Sequence, residues 1–263
     1  MIDPPKNDPG AAPFVKTKRT EEGMKALLRT QILPKLSARG PYFDIQAVRT
    51  ELEAVRCPIR PTILNIYLHA MMEAHVIYGA GRGWYSSLPN AFELDARPVN
   101  PLVRRLEKKF PLLEFTCWST EQVRAFGHHL LARFVSFVHT DRNAIHDVAE
   151  FLKDAGYDAH VNPRAGAARQ FTIRERTVVI RSRNSAQPHN AHQVSVEGLL
   201  VELFVESRAL NLMDISECYR IFTNLAEQAR ISLATLLDYA RERRPAALEF
   251  IELINAEFCK KST

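Results

Sequence analysis

Apolar residues recur at helical spacing in the first quarter of the chain. The apolar positions from Leu27 to Leu36 fall on one face of a helix that we predict over residues 21–38. The same spacing predicts a second helix over residues 43–55 and a third over residues 62–75. A short turn that contains a proline separates the second helix from the third.

Two short strands are predicted after the third helix. They cover residues 76–78 and 84–86, and the glycine-rich run of residues 79–83 between them carries one arginine. Two helices, a turn, a third helix and a glycine-tipped hairpin form the outline of a winged helix-turn-helix, a module that usually reads duplex DNA. The pattern therefore predicts a DNA-binding domain over residues 20–88, after a proline-rich flexible tail over residues 1–19.

The rest of the chain predicts a sheet followed by helices. Prolines mark residues 89–101 as a linker, and residues 102–263 are predicted to form the second domain. Strands and helices alternate in its first half, where residues 170–173 and 177–182 are predicted to pair as a hairpin, and the chain is helical from Ser195 onward. The predicted fold class is α/β (mixed α+β), with an N-terminal winged helix-turn-helix and a C-terminal α/β domain that ends in a helical bundle.

Polar side chains on the third helix are the candidates for reading DNA bases. Thr62, Asn65 and His69 lie three and four positions apart, so they share one helical face. Asn65 is the best base reader among them because an amide can pair with adenine through two hydrogen bonds. Three arginines in the turn before the helix and at the wing tip suit phosphate contacts: Arg56, Arg60 and Arg82. The helix is apolar nearly all round, however, and winged helices also serve as protein-interaction modules, so both uses stay open.

The charge distribution adds a second basic region. The net charge is +5, and residues 1–88 hold 12 Lys and Arg against 8 Asp and Glu, whereas the remainder holds 23 against 22. Residues 164–183 contain one acidic residue and six arginines: Arg164, Arg169, Arg174, Arg176, Arg181 and Arg183. Such a cluster can release counterions from a phosphate backbone, which predicts a second basic patch for DNA. The alternative is that these arginines cover solvated strand faces.

The sequence also argues against several classes of protein. It has no apolar run of about 18 residues that would span a membrane, and its first residues do not resemble a secretory signal. The cysteines are scattered without a Cys-x-x-Cys pair, which disfavours a zinc site and a disulfide framework and favours reduced cysteines in a cytoplasmic protein: Cys57, Cys117, Cys218 and Cys259. No histidine cluster has zinc-ligand spacing, and no glycine-rich phosphate loop precedes a helix, so neither a metal nor a cofactor is predicted.

An enzymatic role has little support in the sequence. Glu150 and Asp154 share a helical face near Lys153, a combination that metal-dependent nucleases use when the acids gather beside strands. A solvated helix face explains the same residues more simply, and no catalytic residue is predicted. Trp118 has two readings, a buried core residue or an anchor for a partner, and core is the more common one.

Several short motifs occur in a fixed order between residues 43 and 244. They are Gly81-Arg82-Gly83-Trp84-Tyr85, Phe110-Pro111, Cys117-Trp118-Ser119-Thr120, the strand over residues 134–139, the apolar block of residues 196–204, and the run of residues 236–244. In this order they resemble the AbiEi-type antitoxins, the repressor and antitoxin half of type IV toxin–antitoxin systems. The segment before Thr20 has no counterpart in that pattern.

The resemblance implies a function for each domain. It implies that the winged helix represses the protein's own operon, and that the C-terminal domain provides antitoxicity and helps to shape the DNA complex. The implied partners are double-stranded operator DNA, read as inverted repeats by two copies of the protein, and a nucleotidyltransferase-like toxin encoded beside it. Two alternatives remain: a stand-alone regulator of a mobile element or defence locus, and a DNA-processing enzyme with a winged-helix targeting module.

Overall fold

A computed structural model describes residues 20–128, 133–163, 171–243 and 247–254. The predicted tail of residues 1–19 lies outside the described residues. The N-terminal unit consists of helices α1 (Glu21–Leu27), α2 (Leu33–Ser37), α3 (Ile45–Ala54) and α4 (Pro61–Glu73), a π-helical turn (Leu28–Ile32) that joins α1 to α2, and strands β1 (Tyr42–Asp44), β2 (Tyr78–Gly79) and β3 (Trp84–Ser86). Thr20 begins α1 because its hydroxyl accepts a hydrogen bond from the Gly23 amide at 3.2 Å.

The strands of the N-terminal unit form a small antiparallel sheet in the order β1-β3-β2. The prediction that the second helix begins at residue 43 was wrong. The Asp44 carboxylate accepts a hydrogen bond from the Ala47 amide at 2.7 Å, which starts α3 at Ile45. The preceding residues are extended and pair with β3, a contact between distant parts of the chain that local periodicity cannot report. Leu28, Val48 and Leu64 are completely buried between the helices of this unit.

The C-terminal domain is a mixed sheet with helices on both faces. Its elements are α5 (Asn100–Lys109), β4 (Phe115–Ser119), a 3-10 helix (Thr120–Phe126), β5 (Val135–Thr140), α6 (Ile145–Asp154), β6 (Asp158–Val161), β7 (Thr177–Ser182), β8 (His189–Asn190), β9 (Gln193–Val194), α7 (Val196–Leu210), α8 (Ile215–Gln228), α9 (Leu233–Glu242) and α10 (Leu248–Ile254). The strand order is β6-β7-β5-β4-β9-β8. The mixed α/β class predicted from the sequence is confirmed.

Strand β7 corrects the predicted hairpin. It lies between β6 and β5 and runs parallel to both, and residues 171–173 form no strand. The four positions from Thr177 to Ile180 are all buried, as expected for a parallel strand covered on both faces. Side chains alternate between the two faces along β5, so Phe137 packs towards α7 whereas Val138 packs towards α5 and α6. The domain therefore has three layers.

The N-terminal unit docks on the side of the sheet that carries α7, α8 and α9. The Tyr42 hydroxyl donates to the Ala229 carbonyl at 3.0 Å and accepts from the Ile231 amide at 2.9 Å. The Arg230 guanidinium donates to the carbonyls of Leu88 and Pro89 at 2.9 and 2.7 Å. The segment that was predicted as a linker is thus held against the loop between α8 and α9. In the part of the chain that the structure describes, no helix has the length and apolar character needed to cross a membrane.

Candidate nucleic-acid interface

Helix α4 is held by one apolar face, which leaves the other face outward. Pro61 stands in its first turn, where the missing amide hydrogen costs nothing. Leu64, Leu68 and Met71 lie four and three positions apart and are buried in the core of the N-terminal unit. The helix ends before His75, which adopts a left-handed backbone with a φ of 54°.

The outward face of α4 carries the polar residues singled out from the sequence. Thr62, Asn65 and His69 are all exposed. Ile66, which the sequence analysis missed, lies beside them with 63% of its surface exposed. Its position one turn after Thr62 was a signal that could have identified it. A large apolar side chain on a polar face suits contact with a thymine methyl group. The helix thus presents a hydroxyl, an amide, an imidazole and an aliphatic group side by side.

Three exposed arginines flank this face. Arg56 follows α3 with a φ of 55°, Arg60 directly precedes α4, and Arg82 lies in the turn between β2 and β3. None of the three forms an ion pair within the described residues. At the far end of α4, the Glu73 carboxylate lies 3.7 Å from the His69 ring and places a negative charge there. Positive charge is therefore concentrated near the start of α4.

The turn between β2 and β3 is anchored rather than free. Ala80 is buried in the core of the C-terminal domain. Gly81 has a φ of 96°, and a Cβ atom at this position would lie 2.5 Å from the Ala234 side chain and 2.7 Å from the Ser232 hydroxyl. The β2–β3 turn therefore packs against the start of α9, and the exposed Arg82 lies on this anchored turn.

The second basic patch divides into two groups. Arg164 and Arg169 lie outside the described residues. Arg181 binds the Glu206 carboxylate through two hydrogen bonds of 2.8 and 2.5 Å, and Arg183 binds Glu114. The charges of these two arginines are neutralised within the fold.

The other two arginines of this patch, Arg174 and Arg176, lie at the opposite end of β7 and are exposed. The Arg176 guanidinium lies 4.0 Å from the centre of the Tyr157 ring, so an aromatic side chain holds its charge at the surface.

Trp118 is a core residue, as the more common reading expected. It is completely buried, stacks on Phe137 at a ring-centre distance of 4.1 Å and donates its indole hydrogen to His139 Nε2 at 3.1 Å. Burial lowers the pKa of His139 to about 3, so the ring is neutral and accepts this hydrogen bond. Glu150 and Asp154 are exposed on α6. Among the described residues, no three side chains of metal-ligating type gather into a cluster.

Buried charges tie α9 to α7. The Glu202 carboxylate is completely buried, accepts a hydrogen bond from the Tyr239 hydroxyl and binds Arg243 at 3.0 Å. Burial raises the pKa of Glu202 and outweighs the opposite effect of Arg243. These contacts fix the helix against which the glycine turn of the N-terminal unit packs.

A comparison with known protein families assigns most of the chain to one family. Residues 63–260 match the model of a family of unknown function, DUF6577. The chain belongs to the DUF6577 family. The match begins inside α4, so the DUF6577 region includes Asn65, His69 and Arg82, whereas Arg56, Arg60 and Thr62 precede it. A search of curated proteins finds no match for this DUF6577 chain.

Proposed function

We propose that this protein is a DNA-binding transcriptional regulator, that its N-terminal unit is a winged helix-turn-helix, and that α4 enters the major groove. The observation that carries the proposal is the outward face of α4, where Thr62, Asn65, Ile66 and His69 are exposed together. Their hydroxyl, amide, imidazole and aliphatic groups are of the types that read base edges and thymine methyl groups. The 13 residues of α4 span about 20 Å, and a helix of this size fits the major groove.

The order of elements supports the winged-helix assignment. A short turn over residues 55–60 separates α3 from α4, and β2 and β3 follow α4 with a glycine turn between them. Strand β1, which precedes α3, completes the sheet by pairing with β3. In this assignment α4 is the recognition helix and the β2–β3 turn is the wing.

Electrostatics supports phosphate contacts around the start of α4. The helix has no lysine or arginine of its own, so attraction to the DNA backbone must come from its surroundings. Arg56 and Arg60 precede its first turn, where the free amide groups and the helix dipole also favour an anion. Arg82 supplies a third cation from the anchored wing. These three arginines would position α4, and its uncharged face would select the sequence.

Binding to the DNA upstream of the protein's own gene tests the proposal. We expect the purified protein to prefer this duplex to a scrambled duplex of equal composition, with affinity that falls as salt rises. Replacing Thr62, Asn65 and His69 together with alanine should remove the preference. The matched control is Asn190→Ala, which removes an exposed amide from β8. Equal affinity of the wild-type protein for both duplexes would refute sequence reading by α4.

On its resemblance to the AbiEi-type antitoxins, we propose that the protein represses its own operon and counteracts a toxin. The expected operator is an inverted repeat bound by two copies, and mass measurement of the complex gives this stoichiometry directly. The expected toxin is a nucleotidyltransferase-like protein encoded beside it. Co-expression should restore growth that the neighbouring gene inhibits when expressed alone. Unchanged inhibition would leave the protein as a stand-alone regulator.

A further inference from the structure

Helix α5 presents a dense row of positive charge on its solvent side. Leu102, Val103 and Leu106 bury the opposite side of the helix against the sheet. The outward positions carry four exposed cations beside the exposed Glu107: Arg104, Arg105, Lys108 and Lys109. Two pairs of like charges therefore stand four residues apart, a spacing that destabilises a helix.

The fold does not neutralise this row. None of the four cations forms an ion pair with any residue that the structure describes. The carboxylate on the helix, Glu107, lies 3.4 Å from the His192 ring. In contrast, Arg181 and Arg243 elsewhere in the domain each bind a buried carboxylate. The charge of α5 is thus left available to an external anion.

Aromatic rings lie beside two of these cations at the edge of an open groove. The four cations line a groove of about 560 Å³ together with Pro101 and Phe151. Lys109 lies 5.8 Å from the centre of the Phe151 ring, and Arg105 lies 5.9 Å from the centre of the Tyr157 ring. Arg176 lies over the same tyrosine, so it extends the row to a fifth cation. Side chains held in this way lose less conformational freedom when they bind.

This row, which we term the α5 surface, is separate from α4. Helix α5 packs on the face of the sheet to which Cys117, Val138 and Ile180 point. The N-terminal unit docks through Tyr42 and Ala80 into the core on the opposite face. The two surfaces therefore belong to opposite layers of the protein, and the α5 surface is not an extension of the contact that we propose for α4.

We propose that the α5 surface binds the phosphate backbone of a second nucleic-acid duplex, so that one protein molecule bridges two segments. The bridging rests on the function proposed above for α4, whereas binding at α5 does not. A nucleic acid is the occupant that the surface favours because α5 exposes no large apolar side chain that could anchor a protein partner. Phosphate contacts need only cations, and they carry no sequence preference.

A capture experiment tests the proposal. The upstream duplex is fixed to beads and loaded with protein, and retention of a second labelled duplex of unrelated sequence is measured. The test protein carries Arg104→Gln, Arg105→Gln, Lys108→Gln and Lys109→Gln. The control protein loses the same charge at four cations that are already paired with carboxylates, through Lys25→Gln, Arg208→Gln, Arg220→Gln and Arg241→Gln. Thermal melting verifies that both proteins are folded.

The wild-type and control proteins should retain the second duplex, and the test protein should lose about tenfold or more of this capture. For direct binding of the unrelated duplex, the salt dependence of the test protein should be shallower by about three to four units. Equal capture by the test and control proteins, or no direct binding of the unrelated duplex by the wild-type protein, would overturn the proposal for α5. Direct binding without capture would overturn the bridging of two duplexes. If the variant with alanine at Thr62, Asn65 and His69 still prefers the upstream duplex, the proposal for α4 is overturned instead.

Discussion

The 13-residue α4 and the 10-residue α5 both have a proline in the first turn, and both bury a leucine-rich face, yet their outward faces differ completely. Helix α4 has no lysine or arginine, and it exposes groups that can read bases, such as Asn65 and Ile66. Helix α5 exposes four cations, which suit contacts with phosphate groups. The buried positions determine where each helix lies, and the outward positions are free to determine what it contacts.

This difference separates two contributions to nucleic-acid binding. Cations supply affinity for any phosphate backbone, and that affinity depends on salt. Uncharged polar groups supply preference for a sequence and little affinity of their own. A variant on α4 should therefore change selectivity, whereas a variant on α5 should change affinity for all sequences equally. The following predictions test this division, from the largest expected effect to the smallest.

Gly81→Ala should disrupt the junction that places α4 relative to α5. The added Cβ atom would lie 2.5 Å from the Ala234 side chain, and the φ of 96° is unfavourable for alanine. We expect the free energy of unfolding to fall by on the order of 3 kcal/mol, combining overpacking and backbone strain. Gly83→Ala is the matched control because its φ is 77° and the added atom would meet open space. Urea denaturation of both variants measures the difference. An equal loss of unfolding free energy would show that the contact of Gly81 with α9 is unimportant.

Asn65→Ala should weaken binding to the operator by about 1–3 kcal/mol and leave binding to scrambled DNA unchanged. The proposal assigns the lost amide to a base edge, and the substitution removes no cation. Fluorescence anisotropy with both duplexes measures the two affinities. An equal loss of affinity for the scrambled duplex would show that Asn65 does not read a base.

Arg82→Ala should weaken binding to every sequence and lower the salt dependence by about one unit, the amount expected for one phosphate contact. The side chain is exposed on an anchored turn, so the substitution should leave the fold intact. The slope of the logarithm of the binding constant against the logarithm of salt concentration gives the result. An unchanged slope would exclude a phosphate contact at the wing.

Glu51→Gln should alter how the unit that carries α4 responds to acid. Hydrogen bonds from Lys35 at 2.5 Å, together with Arg39 at 2.6 Å, hold the pKa of Glu51 below its ordinary value. The carboxylate therefore contributes stability above its unfolded pKa of about 4.5, and this contribution is lost as the pH falls through the lower folded value.

Urea denaturation at pH 6 and in the acid range should show a smaller pH dependence for Glu51→Gln than for the wild-type protein. Glu53→Gln is the control, since Glu53 is an exposed carboxylate on the same helix. Identical pH dependence of the two variants would argue against a stabilising role for the ion pairs of Glu51.

Local patterns predicted the helices well. The spacing of Leu64, Leu68 and Met71 was sufficient to predict α4, and Ser195 begins a helix at the position where the sequence had placed it. The residues that the sequence singled out on α4 are exposed together because side chains three and four apart share a helical face. Ile66 lies one turn after Thr62 and so shares its face, but periodicity in a nearly all-apolar helix does not by itself show which face remains outside.

Only the tertiary structure decided the positions of β1 and β7, the contact of Gly81 with α9 and the pairing of Arg181 with Glu206. Each depends on residues that are distant in the chain, and helical or strand periodicity contains no information about distant partners. The sequence by itself determined which segments are helical and where the arginines cluster. The tertiary structure then determined which of those arginines form ion pairs with carboxylates inside the protein and which remain available to an external anion.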